Sequence, residues 1–93
     1  MKTLSVEVLG EDSNAAVLRH PGREFPGVLI QGDSLHVLFS AARSALDAAE
    51  RNDLQAVCEQ LNELSEKLGA YQRAYESALD SAGVPLPYSK LSL

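Results

Sequence analysis

The chain has 93 residues, of which 45% are apolar and 23% charged, and its formal net charge is −5. This length suits one domain with a single small core. The acidic balance disfavours a nucleic-acid partner, because a phosphate-binding surface needs clustered lysine and arginine side chains.

Cysteine content and hydropathy indicate the compartment. A single cysteine, Cys58, excludes an intramolecular disulfide. Residues 1–10 alternate polar and apolar side chains, unlike the continuous apolar stretch of a signal peptide. No apolar run approaches the roughly 18 residues of a membrane helix. We therefore expect a cytoplasmic protein with no membrane partner.

The first predicted element is a half-buried β-strand at residues 3–9. Leu4, Val6 and Val8 alternate with other residues, and this period of two is typical of a strand with one face in the core. We expect these three side chains to be buried and their polar neighbours Ser5 and Glu7 to face solvent.

Two further strands are predicted upstream of the helices. Turn formers at residues 10–14 separate the first strand from an apolar run at 15–20, which indicates an antiparallel hairpin. The two Pro-Gly pairs within residues 21–27 suit tight turns, because proline presets φ and glycine accepts a positive φ. The apolar triplet at 28–30 predicts a third, buried strand.

The first predicted helix begins at Asp33 or Ser34, either of which can cap it. Its apolar spacing predicts one core face, formed by Leu35, Leu38, Phe39, Ala42, Leu46 and Ala49. Asn52-Asp53 then offers an N-cap for a second helix, and Gln55, three residues after Asn52, would complete a capping box.

The second predicted helix carries the strongest periodic signal of the chain. Its apolar positions alternate spacings of three and four residues, as in a coiled-coil seam, and comprise Leu54, Val57, Leu61, Leu64, Leu68, Tyr71, Tyr75, Ala78 and Ala82. Gly83 and Pro85 end this helix. The remaining tail is expected to be extended and to lie back over the sheet.

The predicted fold class is α+β. A small antiparallel three-stranded sheet is followed by an antiparallel two-helix hairpin, in the order βββαα. A single domain spans residues 1–93, with a β-sheet region at 1–33, the helical hairpin at 34–83 and the extended tail at 84–93.

The residue types that carry catalysis or bind metals do not form a recognisable set. His20, His36 and Cys58 lack the spacing of metal ligands, and Cys58 has no local signature of a nucleophile with its base. We expect Cys58 to be a small core or near-core filler and His36 a partly exposed residue of the first helical turn. The chain is therefore predicted to be no enzyme and to need no metal or cofactor.

Three groups of residues are candidates for binding a partner. Glu59, Glu63 and Glu66 line the second helix and form either a solvated face or a contact for a basic protein. Tyr71 and Tyr75 lie where this helix outlasts the first. That overhang is covered by the sheet and tail, or by a partner or a second copy of the chain.

The loop before the first helix provides the third group, Arg23 and Phe25. Arg23 and the free N–H groups of the helix start could bind an anion such as phosphate. The Asp33 carboxylate opposes this, since it would occupy the same electropositive position. In the structural interpretation, the Pro-Gly turns reverse the chain and Phe25 anchors the loop.

Residues 21–35 contain the elements PGR, FPG and QGDSL ahead of two helices. In this the chain resembles a family of small bacterial proteins of uncharacterised function, from which no residue role follows. By analogy, small acidic bacterial proteins include many immunity proteins that block a toxin. The predicted function is a protein-binding domain, such as an immunity protein or inhibitor of a basic toxin. The alternatives are an anionic-ligand module using Arg23 and the helix start, and a structural, self-associating domain.

Overall fold

The structure is a computed structural model that describes residues 1–11 and 15–90. It has five elements in the predicted order: β1 (Glu7–Gly10), β2 (Ala15–Arg19), β3 (Gly27–Ile30), α1 (Gly32–Glu50) and α2 (Leu54–Ala82). The strands form an antiparallel sheet in the order β1-β2-β3. The predicted βββαα fold is confirmed. Most of the predicted turn at 10–14 and the end of the tail lie outside the described residues.

The chain forms two compact units, to both of which α2 contributes. Unit 1 comprises Met1–Leu29 and Arg73–Leu93, and so holds most of the sheet, the C-terminal part of α2 and the tail. Unit 2 comprises Ile30–Gln72, and so holds α1 and the longer, N-terminal part of α2.

The core of unit 1 is a cluster of three buried side chains, Val17, Tyr75 and Leu79. Five partly buried apolar residues from the sheet, from α2 and from the tail pack against it: Leu9, Val28, Ala78, Val84 and Leu86. The Tyr75 hydroxyl donates a hydrogen bond of 2.9 Å to the carbonyl oxygen of Pro26. The tail residues Val84 and Leu86 thus pack against the same core as the sheet, as predicted.

Strand β1 is shorter than predicted and buries the opposite side chains. Leu4, Val6 and Val8 are 45%, 39% and 54% exposed, whereas Leu9 packs against the core. Leu4 and Val6 precede β1, and Val8 pairs with Leu18, the neighbour of the buried Val17. Because side chains alternate along a strand, Val8 lies on the side of the sheet away from the core, and the alternation in the sequence predicted the wrong side.

The two Pro-Gly pairs differ from each other and from the prediction. The first forms a turn, in which the Arg23 N–H donates to the His20 carbonyl at 2.9 Å and the Gly22 N–H to His20 Nδ1 at 3.0 Å. In the second, Pro26 is buried and Gly27 opens β3. Neither glycine has a positive φ, so the expected use of left-handed backbone at these pairs is wrong.

Helix α1 begins one residue before its predicted caps. Gln31 is its N-cap and makes no side-chain hydrogen bond, so neither Asp33 nor Ser34 is the cap. Asp33 lies in the first turn, where its Oδ1 accepts the Ser34 N–H at 2.9 Å. A carboxylate in this turn interacts favourably with the positive end of the helix dipole.

The turn between the helices uses Asn52 and Asp53 differently from the prediction. Asn52 has a φ of 57° and ends α1, and the Asp53 N–H donates to the Ala48 carbonyl at 2.9 Å. This is a Schellman motif with asparagine in the left-handed position. Asp53 caps α2, because its Oδ1 accepts the Ala56 N–H at 3.1 Å. The capping box from Asn52 to Gln55 is therefore wrong.

Helix α2 ends as predicted at Gly83, which has a φ of 70°. The Gly83 N–H donates to the Asp80 carbonyl at 3.1 Å, and the Val84 N–H to the Leu79 carbonyl at 2.9 Å. Val84 also packs against the core cluster that contains Leu79. A second Schellman motif thus turns the tail toward the core of unit 1.

Replacing Gly83 with alanine should lower the free energy of unfolding by about 1–2 kcal/mol, because a Cβ disfavours left-handed backbone. Gly32→Ala is the matched control, since Gly32 has no positive φ and open space around a Cβ. Its effect should stay within about 0.5 kcal/mol. Urea unfolding measures both. Equal losses in the two variants would contradict the role of Gly83.

Candidate protein-binding surface

Helix α1 has two apolar faces, and the structure buries the one made mostly of alanine. Its buried residues, spaced by three, four and three positions, are Leu38, Ala41, Ala45 and Ala48. Of the predicted core face only Leu38 is buried, and Leu35, Phe39 and Leu46 are 59%, 62% and 47% exposed. Small side chains let helices approach closely, which leaves the bulky residues on the neighbouring side.

Helix α2 also leaves part of its predicted seam exposed. Leu54, Leu61 and Leu68 recur every seven residues and are 74%, 49% and 48% exposed. Val57 and Leu64, which lie between them in the seam, are half-buried. The predicted seam is therefore only partly buried, because every second residue of its N-terminal part is exposed.

Except for Val37, the exposed large apolar residues of both helices lie on the same side of unit 2. A groove on the other side is lined by side chains of both helices: His36, Val37, Ser40, Ala41, Ser44, Gln60 and Glu63. At about 3.6 residues per turn, the other exposed large apolar residues of each helix point away from this groove. They form one surface, the outer apolar face, which comprises Leu35, Phe39, Ala42, Leu46, Ala49, Leu54, Leu61 and Leu68.

Charged residues of α2 are segregated from the outer apolar face. Glu59, Glu63 and Glu66, the acidic side of α2, are exposed and project from the opposite part of the helix. The Glu59 carboxylate accepts a hydrogen bond of 3.2 Å from the Gln55 side-chain amide, and Glu63 Oε1 lies 3.9 Å from Lys67 Nζ. The residues that border the face on α2 are all uncharged: Cys58, Asn62, Ser65, Gly69 and Gln72.

Arg23 and Phe25 lie together in unit 1. Both line a shallow groove with apolar residues of β2 and β3, and Phe25 is 44% exposed. The neighbouring cation Arg19 makes the ion pair of this region, with its Nε 3.1 Å from Glu7 Oε1. At the start of α1, an anion would meet the carboxylate of Asp33, which already accepts an N–H group there.

The two tyrosines named by the sequence have different environments. Tyr71 is half-buried in unit 2, whereas Tyr75 is 7% exposed in the core of unit 1. Sheet and tail residues of its own chain cover the Tyr75 ring, which is the first of the predicted covers for the overhang. Burial raises the pKa of the Tyr75 hydroxyl above its ordinary value of 10.0, and the nearby Tyr88 adds to this.

Cys58 is exposed, so the prediction that it fills space in or near the core is wrong. His36 Nε2 lies 3.5 Å from Ser40 Oγ, and both residues line the groove of unit 2. Across residues 1–11 and 15–90, no three histidine, cysteine or acidic residues are grouped to hold a metal ion. No helix in the described part is long and apolar enough to cross a membrane.

The alanine face of α1 was not predicted, although the sequence contains a signal for it. Leu38, Ala41, Ala45 and Ala48 have the same spacing of three and four residues that revealed the seam of α2. Larger side chains elsewhere on the helix dominated the assignment. The spacing of apolar residues along α1 therefore defines two apolar faces, and the one with larger side chains could have been recognised as the exposed one.

Comparison with known proteins identifies the family but not its activity. The chain belongs to the family of unknown function DUF6959, whose model matches residues 1–88. No curated protein and no solved structure matches it.

Tyr75→Phe should lower the free energy of unfolding at neutral pH by about 1–2 kcal/mol, because the buried Pro26 carbonyl loses its donor. Tyr71→Phe is the control on the same helix, and should change the stability by less than about 0.5 kcal/mol. Urea unfolding followed by circular dichroism measures both variants. Comparable losses would show that the hydrogen bond contributes nothing specific.

The stability contributed by the neutral Tyr75 hydroxyl should depend on pH. A folded-state pKa above the unfolded value of 10.0 favours folding fully below pH 10.0. This contribution is lost as the pH rises through the folded pKa. The free energy of unfolding should therefore fall less steeply for Tyr75→Phe than for the wild type above about pH 10. Parallel profiles would contradict the raised pKa.

Proposed function

For this member of a family of unknown function, we propose a non-catalytic protein-binding domain whose contact surface is the outer apolar face. The observation that carries the proposal is the exposure of six large apolar side chains, between 47% and 74%, on one side of unit 2. Contiguous exposed apolar patches larger than a few hundred Å² mark interaction sites on soluble proteins.

The shape and chemistry of the face suit a protein better than a small molecule. Small ligands bind in concave pockets with a few convergent polar groups. The outer apolar face consists of two helix surfaces side by side, and none of its eight members carries a polar side chain. A surface without acid, base or nucleophile supports binding and not catalysis.

The finer form of the proposal is an immunity protein, or a similar inhibitor, that neutralises a basic toxin in the bacterial cytoplasm. Its support is the net charge of −5 together with the exposed acidic side of α2. Such a surface attracts a basic partner to the acidic side of α2 and increases the association rate.

Site-specific photocrosslinking in cells tests the proposal. A photoreactive amino acid at Leu61 lies in the outer apolar face, whereas the same residue at Glu66 lies on the acidic side of the same helix. We expect discrete adducts from position 61, which mass spectrometry then identifies. The added substitution Phe39→Glu on α1 should abolish them, because it places a charge in the same surface.

The two positions give distinct outcomes. Adducts only from position 66 would place the contact on the acidic side and overturn the assignment to the outer apolar face. An absence of adducts from both positions would contradict a protein-binding function for this hairpin. Adducts that persist with Phe39→Glu would show that α1 does not share the contact.

Removing the charges of the acidic side tests the proposal that the partner is a basic toxin. For a captured basic partner, replacing the three glutamates of the acidic side with glutamine should lower the association rate about tenfold at low salt. The control replaces Glu11, Glu24 and Asp80 with their amides, which gives the same net charge. Stopped-flow measurements at two salt concentrations separate the variants. Equal rates in both would contradict a role specific to the acidic side.

A further inference from the structure

We propose that the outer apolar face binds the same face of a second copy of the chain, so that two hairpins form a four-helix bundle. This inference rests on the proposed function and names the partner of the same surface. The dimer contact is thereby placed on unit 2, away from Tyr75.

The spacing of the apolar residues indicates that the occupant is helical. On α1 the members of the face follow at intervals of four, three, four and three residues, and on α2 at intervals of seven. Such spacing lets side chains interdigitate with those of another helix. Because two such surfaces lie side by side, a partner with two adjacent helices covers both of them. A second hairpin provides them through a twofold axis.

The charge distribution favours a copy of the chain over a basic partner at this surface. Two copies with a net charge of −5 repel each other, so association is favoured at a surface where carboxylates are absent. The face contains none, and its border on α2 is uncharged. On α1 the flanking charges, Arg43 and Glu50, have opposite signs. A basic partner would gain electrostatic attraction at the acidic side of α2 instead.

The area is close to what a stable dimer requires. The six most exposed side chains are one phenylalanine and five leucines, with exposures of 47% to 74%. Together they present on the order of 600 Å² of apolar surface. A standard interface buries about 800 Å² on each partner. The exposed Ala42 and Ala49, with the bordering Cys58 and Ser65, provide additional contact area.

The test is the oligomeric state of the full chain over a concentration series. Sedimentation equilibrium of the wild type should give twice the chain mass of 10.0 kDa. Phe39→Glu and Leu61→Glu should each give a monomer with unchanged helical circular dichroism, because both positions are about half exposed in one chain. Ala70→Glu adds the same charge to an exposed position outside the face, and should remain dimeric.

A measurement without mutation guards against variants that fail to fold. The wild-type melting temperature should rise with protein concentration, because association stabilises only the folded chain. A wild type that stays monomeric at several hundred micromolar, with a constant melting temperature, would overturn the inference. The proposed function would survive if photocrosslinking at position 61 captured a different protein. A dimer that persists in both variants, or that only Tyr71→Glu disrupts, would also overturn it.

Discussion

The close packing of small side chains on α1 is the constraint on which the candidate surface depends. Ala41, Ala45 and Ala48 form most of the buried side of this helix, and the Ala48 carbonyl also accepts the Asp53 N–H that closes the turn to α2. With the alanine side inward, the larger residues of α1 have no place in the interior of unit 2. They become the outer apolar face.

Unit 1 is stabilised in a different way, by a buried tyrosine. The Tyr75 ring belongs to its core, and the hydroxyl donates to the Pro26 carbonyl, 49 residues away in the chain. This bond satisfies a buried acceptor and fixes the segment that leads into β3. The C-terminal part of α2 is therefore committed to the core of its own chain, which leaves the hairpin of unit 2 as the candidate contact.

The two sides of the hairpin provide different physical contributions to binding. Its apolar side can contribute affinity through burial, and its acidic side can contribute long-range attraction to a basic molecule. A bundle of two hairpins would leave both acidic sides on the outside, so self-association and binding of a basic partner are compatible. The matched family segment, residues 1–88, contains every residue of both surfaces.

The type and order of the elements follow from the sequence, because their signals are local. Examples are the spacing of apolar residues along α2 and the helix end at Gly83. Tertiary contacts select which face of α1 is buried and which side of β1 meets the core. They also determine that Asp53 rather than Asn52 caps α2. Each of these depends on how closely distant segments approach, and the alternatives have nearly equal local preferences. In β1 the pairing of Val8 with Leu18 sets the side that faces away from the buried Val17, since side chains alternate with a period of two.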